Sequence, residues 1–121
     1  MNTEFFFLTA VTFLLIHEMD AIRRKEWAIF PGLSKLSDNT GYLVFTAAHI
    51  PLIFLLLIGF AGGVIYQPAI RIMLDVFCLA HIILHALCHR MPKNEFHSRF
   101  SWLIILVTGL AGLIDLMIIF I

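Results

Sequence analysis

The stretch Phe5-Phe6-Phe7-Leu8-Thr9-Ala10-Val11-Thr12-Phe13-Leu14-Leu15-Ile16-His17-Glu18-Met19-Asp20-Ala21-Ile22, followed at once by Arg23-Arg24-Lys25, decides the fold. Eighteen residues make ~27 Å of helix, enough to cross most of a bilayer's hydrocarbon core. No basic n-region precedes the run, and it ends in His17-Glu18-Met19-Asp20 instead of small residues. Those two features separate it from a cleaved signal peptide, so it is expected to be a retained membrane span.

Three more runs follow. Span 2 is expected from about Tyr42 to Tyr66, span 3 from about Ala69 to His89, and span 4 from about Phe100 to Ile121. The expected fold is therefore all-α: one integral membrane four-helix bundle over residues 1–121. Pro31-Gly32 and Ser37-Asp38-Asn39-Thr40-Gly41 supply turn chemistry between spans 1 and 2, where Trp27 and Phe30 suit the headgroup level. Gln67-Pro68 makes a short turn that predicts spans 2 and 3 as antiparallel neighbours. Gly59 and Gly63 form a G-x-x-x-G in span 2, and Gly109 and Gly112 offer small residues in span 4, as close helix packing requires.

Composition agrees. The 121 residues are 61% hydrophobic and 13% charged, with a mean hydropathy of +0.99, too apolar for a soluble domain of this size. The formal net charge is zero, which gives no basis for nucleic-acid binding. Cys78 and Cys88 fall ten residues apart on one helix, ~15 Å, beyond disulfide reach. Of the eight basic residues, Arg23, Arg24, Lys25, Lys35, Arg90, Lys93 and Arg99 fall in the 1–2 and 3–4 connections and Arg71 alone falls on the other side. The positive-inside rule then places both connections in the cytoplasm and both termini on the non-cytoplasmic side. A bacterial inner membrane is the expected location.

Six histidines carry the chemistry: His17, His49, His81, His85, His89 and His97. Counted from the basic interface, His17 lies ~9 Å deep, His49 ~12 Å, His85 ~7 Å and His81 ~13 Å. Three spans thus bring imidazoles to one level. At 100° per residue, Cys78, His81, His85 and His89 share a stripe of span 3, continued outward by Arg71 and Asp75. In span 1, His17, Asp20 and Arg24 share a face, with Glu18 about 100° away. Polar groups in a span need internal partners, and a cation that draws several imidazoles together supplies one. His81 and His85, at i and i+4, would chelate one ion, with His17, His49 or Asp20 completing the set. The bland alternative is histidines hydrogen-bonded across the bundle. Asp20 would ligate, orient His17, or pair with Arg24. Glu18 is a candidate base, with Asp20 as the other catalytic carboxylate. His89, Glu95, His97 and Cys78 are accessory candidates, with interfacial, solvated or plain packing roles as their defaults. Arg71, Asp75 and Asp115 make an outer polar cluster, read first as an intramembrane ion-pair group and second as a polar path inward.

The stretch His17 to Trp27, then His49-Ile50-Pro51-Leu52, His81-x-x-x-His85 and Glu95-Phe96, resembles small bacterial multi-span proteins of the HXXEE type over nearly the whole chain. Asp20 and Ala21 stand where that pattern has two glutamates. The resemblance implies the four-span architecture and a histidine–acid site, and carries no activity. A looser likeness, of ligand sets alone, is to membrane zinc amidases of the ceramidase kind, which combine an H-x-x-x-H on one span with a histidine and an aspartate from others. The expectation is a membrane-embedded metalloprotein holding zinc or iron, with hydrolysis of a lipid-like ester or amide as its simplest chemistry. A b-type haem protein, a metal or ion carrier, and a non-catalytic membrane subunit are the alternatives. Expected partners are the lipid bilayer and a lipid-like substrate, with self-association left open.

Overall fold

The computed structural model describes residues 4–63 and 67–121. Four helices and two short 3-10 turns make up the order: α1 (Phe5–Arg23), turns at Glu26–Ala28 and Leu33–Lys35, α2 (Asp38–Ala61), α3 (Pro68–Cys88) and α4 (Arg99–Phe120). No strand occurs among the described residues. All four helices are long and apolar enough to cross a membrane.

Each start has a local cause. Ser37 Oγ accepts from Thr40 N at 3.3 Å, and Ser98 Oγ accepts from Ser101 N at 2.9 Å, both N-caps that satisfy an otherwise orphaned amide. Pro68 opens α3, where its missing N–H costs nothing. The turn expected at Ser37–Gly41 is therefore a cap plus the first turn of α2, which begins four residues before Tyr42. The expected end of that span at Tyr66 lies outside the described residues; α2 ends at Ala61. Gly63 has φ +77° and lies beyond the helix, so Gly59 and Gly63 do not form a helical G-x-x-x-G seam.

Packing centres on α4. It lies against α1 and α3, and α1 meets α3 more lightly. Gly109 and Gly112 let α3 approach: a Cβ on Gly109 would run into Ile82 and stand 3.2 Å from the Cys78 carbonyl oxygen, and one on Gly112 would stand 3.2 Å from the Asp75 carbonyl oxygen and Cys78 Cβ. Cys78 is thus a packing residue on this seam. By contrast, α2 is mostly exposed and rests chiefly on the first 3-10 turn. Among the described residues, α2 and α3, expected as antiparallel neighbours, line the two sides of one cleft without packing closely on each other.

The first connection is part of the core. Lys25 takes the left-handed conformation, φ 53°, which reverses the chain after α1 and tucks Glu26 and Trp27 inward. Trp27 is buried with Ala21, Ile29, Phe45, Cys88, Phe96 and Ile105 inside the protein. Gly41 permits this, because any Cβ there would collide with the indole.

Candidate metal centre

At the end of the bundle carrying the basic connections, α1, α3 and the first 3-10 turn bring His17, His85 and Glu26 together, all buried. His17 Nε2 lies 3.2 Å from His85 Nε2 and 3.2 Å from Glu26 Oε2, and His85 Nε2 lies 3.7 Å from that oxygen. A point equidistant from the three atoms would lie ~2.0 Å from each, the length of a zinc–nitrogen or zinc–oxygen bond. Glu26 Oε2 accepts no well-formed hydrogen bond among the described residues, and His17 Nδ1 and His85 Nδ1 also lack partners. Burial works against the charge of Glu26, but His17, then His85 and His81, outweigh it and hold the carboxyl below its ordinary value.

A second group able to hold an ion combines His17 with Glu18 and His81. His81 turns Nδ1 toward the Phe77 carbonyl oxygen, 3.4 Å away, and leaves Nε2 3.9 Å from Glu18 Oε1. His81 and His85, expected to share one ion, fall in separate groups able to hold one. Their rings stand 6.2 Å apart, and each joins a different carboxylate. His49 lies 2.8 Å from Glu18 Oε2 through Nε2 and 2.7 Å from the Phe45 carbonyl oxygen through Nδ1. A carbonyl oxygen only accepts, so Nδ1 carries the hydrogen there and one further proton must lie between Nε2 and the carboxylate. Glu18, expected about 100° round α1 from His17 and a candidate base, reaches both His49 and His81, because α2 and α3 flank that face of α1.

Other candidates fall outside. Asp20 Oδ1 lies 3.5 Å from Arg24 Nε, one of the alternatives for it, and belongs to neither ligand group. His89 caps α3, is exposed, and sets its ring against His97 and Trp102, away from both ligand groups. Glu95 and His97 are also exposed and do not cap the site. Phe96, between them, does: fully buried, it stands 4.4 Å from the His85 ring and 5.8 Å from that of His17. Asn94 fixes this plug, donating to the Cys88 carbonyl oxygen and accepting from Phe96 N, both at 2.8 Å. At the opposite end, Asp115 binds Arg71 through both oxygens, with Arg71 Nε to Oδ2 at 2.6 Å. The guanidinium also lies 5.4 Å over the Phe7 ring, and Asp75 is buried one turn along.

Sequence reading missed Glu26 as a ligand candidate. It follows three basic residues in a polar connection, which suggests a solvated side chain. The one available signal was the apolar Trp27-Ala28-Ile29-Phe30 directly after it, a run that has to be buried somewhere and takes its neighbour along.

Fold and site together define a small all-helical protein with four helices long and apolar enough to span a membrane and a buried histidine–glutamate cluster that could hold a metal ion. The chain belongs to a family of unknown function, DUF6713, whose profile matches residues 3–121. No curated protein and no solved structure matches it.

Proposed function

We propose that this protein is a membrane-embedded metalloprotein whose ion is held by His17, His85 and Glu26, and that it hydrolyses an ester or amide of a lipid-like substrate. The observation that carries the reading is the triangle of donor atoms with sides of 3.2, 3.2 and 3.7 Å. Three protein ligands leave a fourth position open, the pattern of catalytic zinc sites. Two histidines and a carboxylate suit non-haem iron as well. Zinc there would supply Lewis acidity and generate a nucleophile from water near neutral pH. His17, His85 and Glu26 hold the centre, and Phe96 keeps bulk solvent from its lower side. Glu18, backed by His49 and flanked by His81, is the acid–base group facing the cleft. Asp20, turned to Arg24, takes no part in this scheme.

The excess of basic residues in the 1–2 and 3–4 connections supports a cytoplasmic position for this end, and the HXXEE-type resemblance supports a bacterial inner membrane. The haem alternative fits poorly. His49 uses both ring nitrogens on Phe45 and Glu18, and His17 and His85 bring their Nε2 atoms closer than two axial ligands on opposite sides of one iron can stand.

Elemental analysis of detergent-purified protein tests the reading. Wild type is expected to carry close to one equivalent of zinc or iron, and a His17→Ala/His85→Ala variant to carry none. Equal metal content in the two would overturn the ligand assignment.

A further inference from the structure

Beside this centre, α2 and α3 stand apart and leave a cleft of about 650 Å³. Val44, Ala48 and Leu52 form one wall, and Ala80, Ile83 and Leu87 the other. Glu18, Glu26, His49 and His81 line its polar floor. These wall residues are exposed, so the cleft is open, and in a spanning protein an open apolar surface of this kind meets hydrocarbon. Toward the basic end, Phe30 and Leu33 of the first connection also line the cleft, so its polar groups have apolar side chains on that side as well as on the two helix walls.

An apolar channel ending on ionisable groups is complementary to an amphiphile lying chain outward and head inward. Pure hydrocarbon would leave the Glu18–His49 pair and His81 Nε2 facing nothing polar, which is costly at membrane depth. Two carboxylates at the floor disfavour an anionic head. A neutral head with hydroxyl groups can donate to Glu18 Oε1 and to His81 Nε2, which is an acceptor because Nδ1 of the same ring faces the Phe77 carbonyl oxygen.

We propose that the cleft between α2 and α3 binds one acyl chain of a neutral lipid carrying an ester or amide, which enters sideways from the bilayer and sets its polar end against Glu18, His49 and His81. This deepens the hydrolytic reading and rests on it for the chemistry, though the binding is separable from the metal.

The full chain in phosphatidylcholine vesicles, with a trace of monoacylglycerol bearing a diazirine on its acyl chain, provides the test. On irradiation, labelled residues mapped by mass spectrometry are expected to concentrate on the facing sides of α2 and α3. Labelling is expected to saturate and to fall at least tenfold under excess unlabelled monoacylglycerol. Excess fatty acid, with its anionic head, is expected to compete at least tenfold less well. Ala48→Trp and Ala80→Trp, from opposite walls, should each abolish the saturable part, and Leu106→Trp on the outer face of α4 should leave it intact. Labels spread evenly over the outward faces of all four helices, or labelling indifferent to competitor, would overturn the proposal. The competition on wild type decides even if both tryptophan variants fail to fold. Metal measured on the same sample separates the two readings: saturable labelling without metal sinks the metal centre and keeps the cleft, and metal without saturable labelling does the reverse.

Discussion

His17 Nε2 stands 3.2 Å from Glu26 Oε2 although Arg23, Arg24 and Lys25 lie between the two in the chain. The reversal at Lys25 creates this contact. It converts a residue from a polar connection into the buried carboxylate of the cluster, and it makes the centre depend on the connection as much as on the spans.

Glu26→Gln is expected to weaken zinc binding at least tenfold, since an uncharged amide replaces an anionic ligand. Asp20→Asn, outside both ligand groups, is expected to change affinity by less than about threefold. Titration against a competing chelator checks the pair. Similar losses for both would mean that the carboxylates act only through overall charge.

The reversal itself is open to test at Lys25. Glycine adopts its left-handed conformation without strain, so Lys25→Gly should hold stability to within about 1 kcal/mol and keep metal binding. Lys25→Pro, locked at negative φ, should lose more than about 1 kcal/mol and release the metal. Thermal unfolding in detergent measures both. The hydrogen bond to Asp38, with the charge of that carboxylate, raises the Lys25 ammonium above its ordinary value. Any stability from that exposed pair is present at neutral pH and is lost as pH rises through the raised value.

Phe96 plugs the site and Asn94 holds it there. Phe96→Ala should cost about 3–5 kcal/mol, as for other buried aromatics, and admit water to His17 and His85. Asn94→Ala should cost about 1–3 kcal/mol, by leaving the Cys88 carbonyl oxygen and Phe96 N without their partner. Faster hydrogen–deuterium exchange at the end of α3, seen in both variants, is the local readout. Unchanged exchange would show that the connection does not seal the site.

The seam between α3 and α4 predicts a contrast among glycines. Gly109→Ala and Gly112→Ala each force a methyl into a neighbouring helix and should cost about 1–3 kcal/mol. Gly62→Ala meets nothing closer than the Ile58 carbonyl oxygen at 3.3 Å and should be nearly neutral. Unfolding temperatures of the three variants rank them.

At the opposite end, Arg71→Met leaves Asp75 and Asp115 buried together without their cation, and should cost about 3–5 kcal/mol. Asp115→Asn leaves Arg71 beside Asp75 and should cost less. Arg71→Met/Asp115→Leu should recover part of the single-variant loss. A double variant worse than Arg71→Met would show that the cluster is not a simple ion pair.

Much of this architecture was legible in the residues. Four apolar runs of helical length can satisfy their backbone in a bilayer only as helices, and that constraint is local. The buried stripe of α3, with Arg71, Asp75, Cys78, His81 and His85 on one face, follows from the 3.6-residue period alone. Ser37 and Ser98 carried their cap signals too, although Ser37 reads equally well as a turn residue.

Which residues meet was a different question. Periodicity gives a residue's direction on its own helix but not which neighbour stands there. Glu18 joins His49 and His81 because α2 and α3 flank it, and Glu26 is buried because one residue with positive φ turns the chain back. The sequence determined the helices, their buried faces and the imidazoles at one depth, since each follows from bonding within a single segment. Only the tertiary structure decided the carboxylate partners and the parting of α2 from α3, since those depend on side-chain volumes across elements distant in the chain.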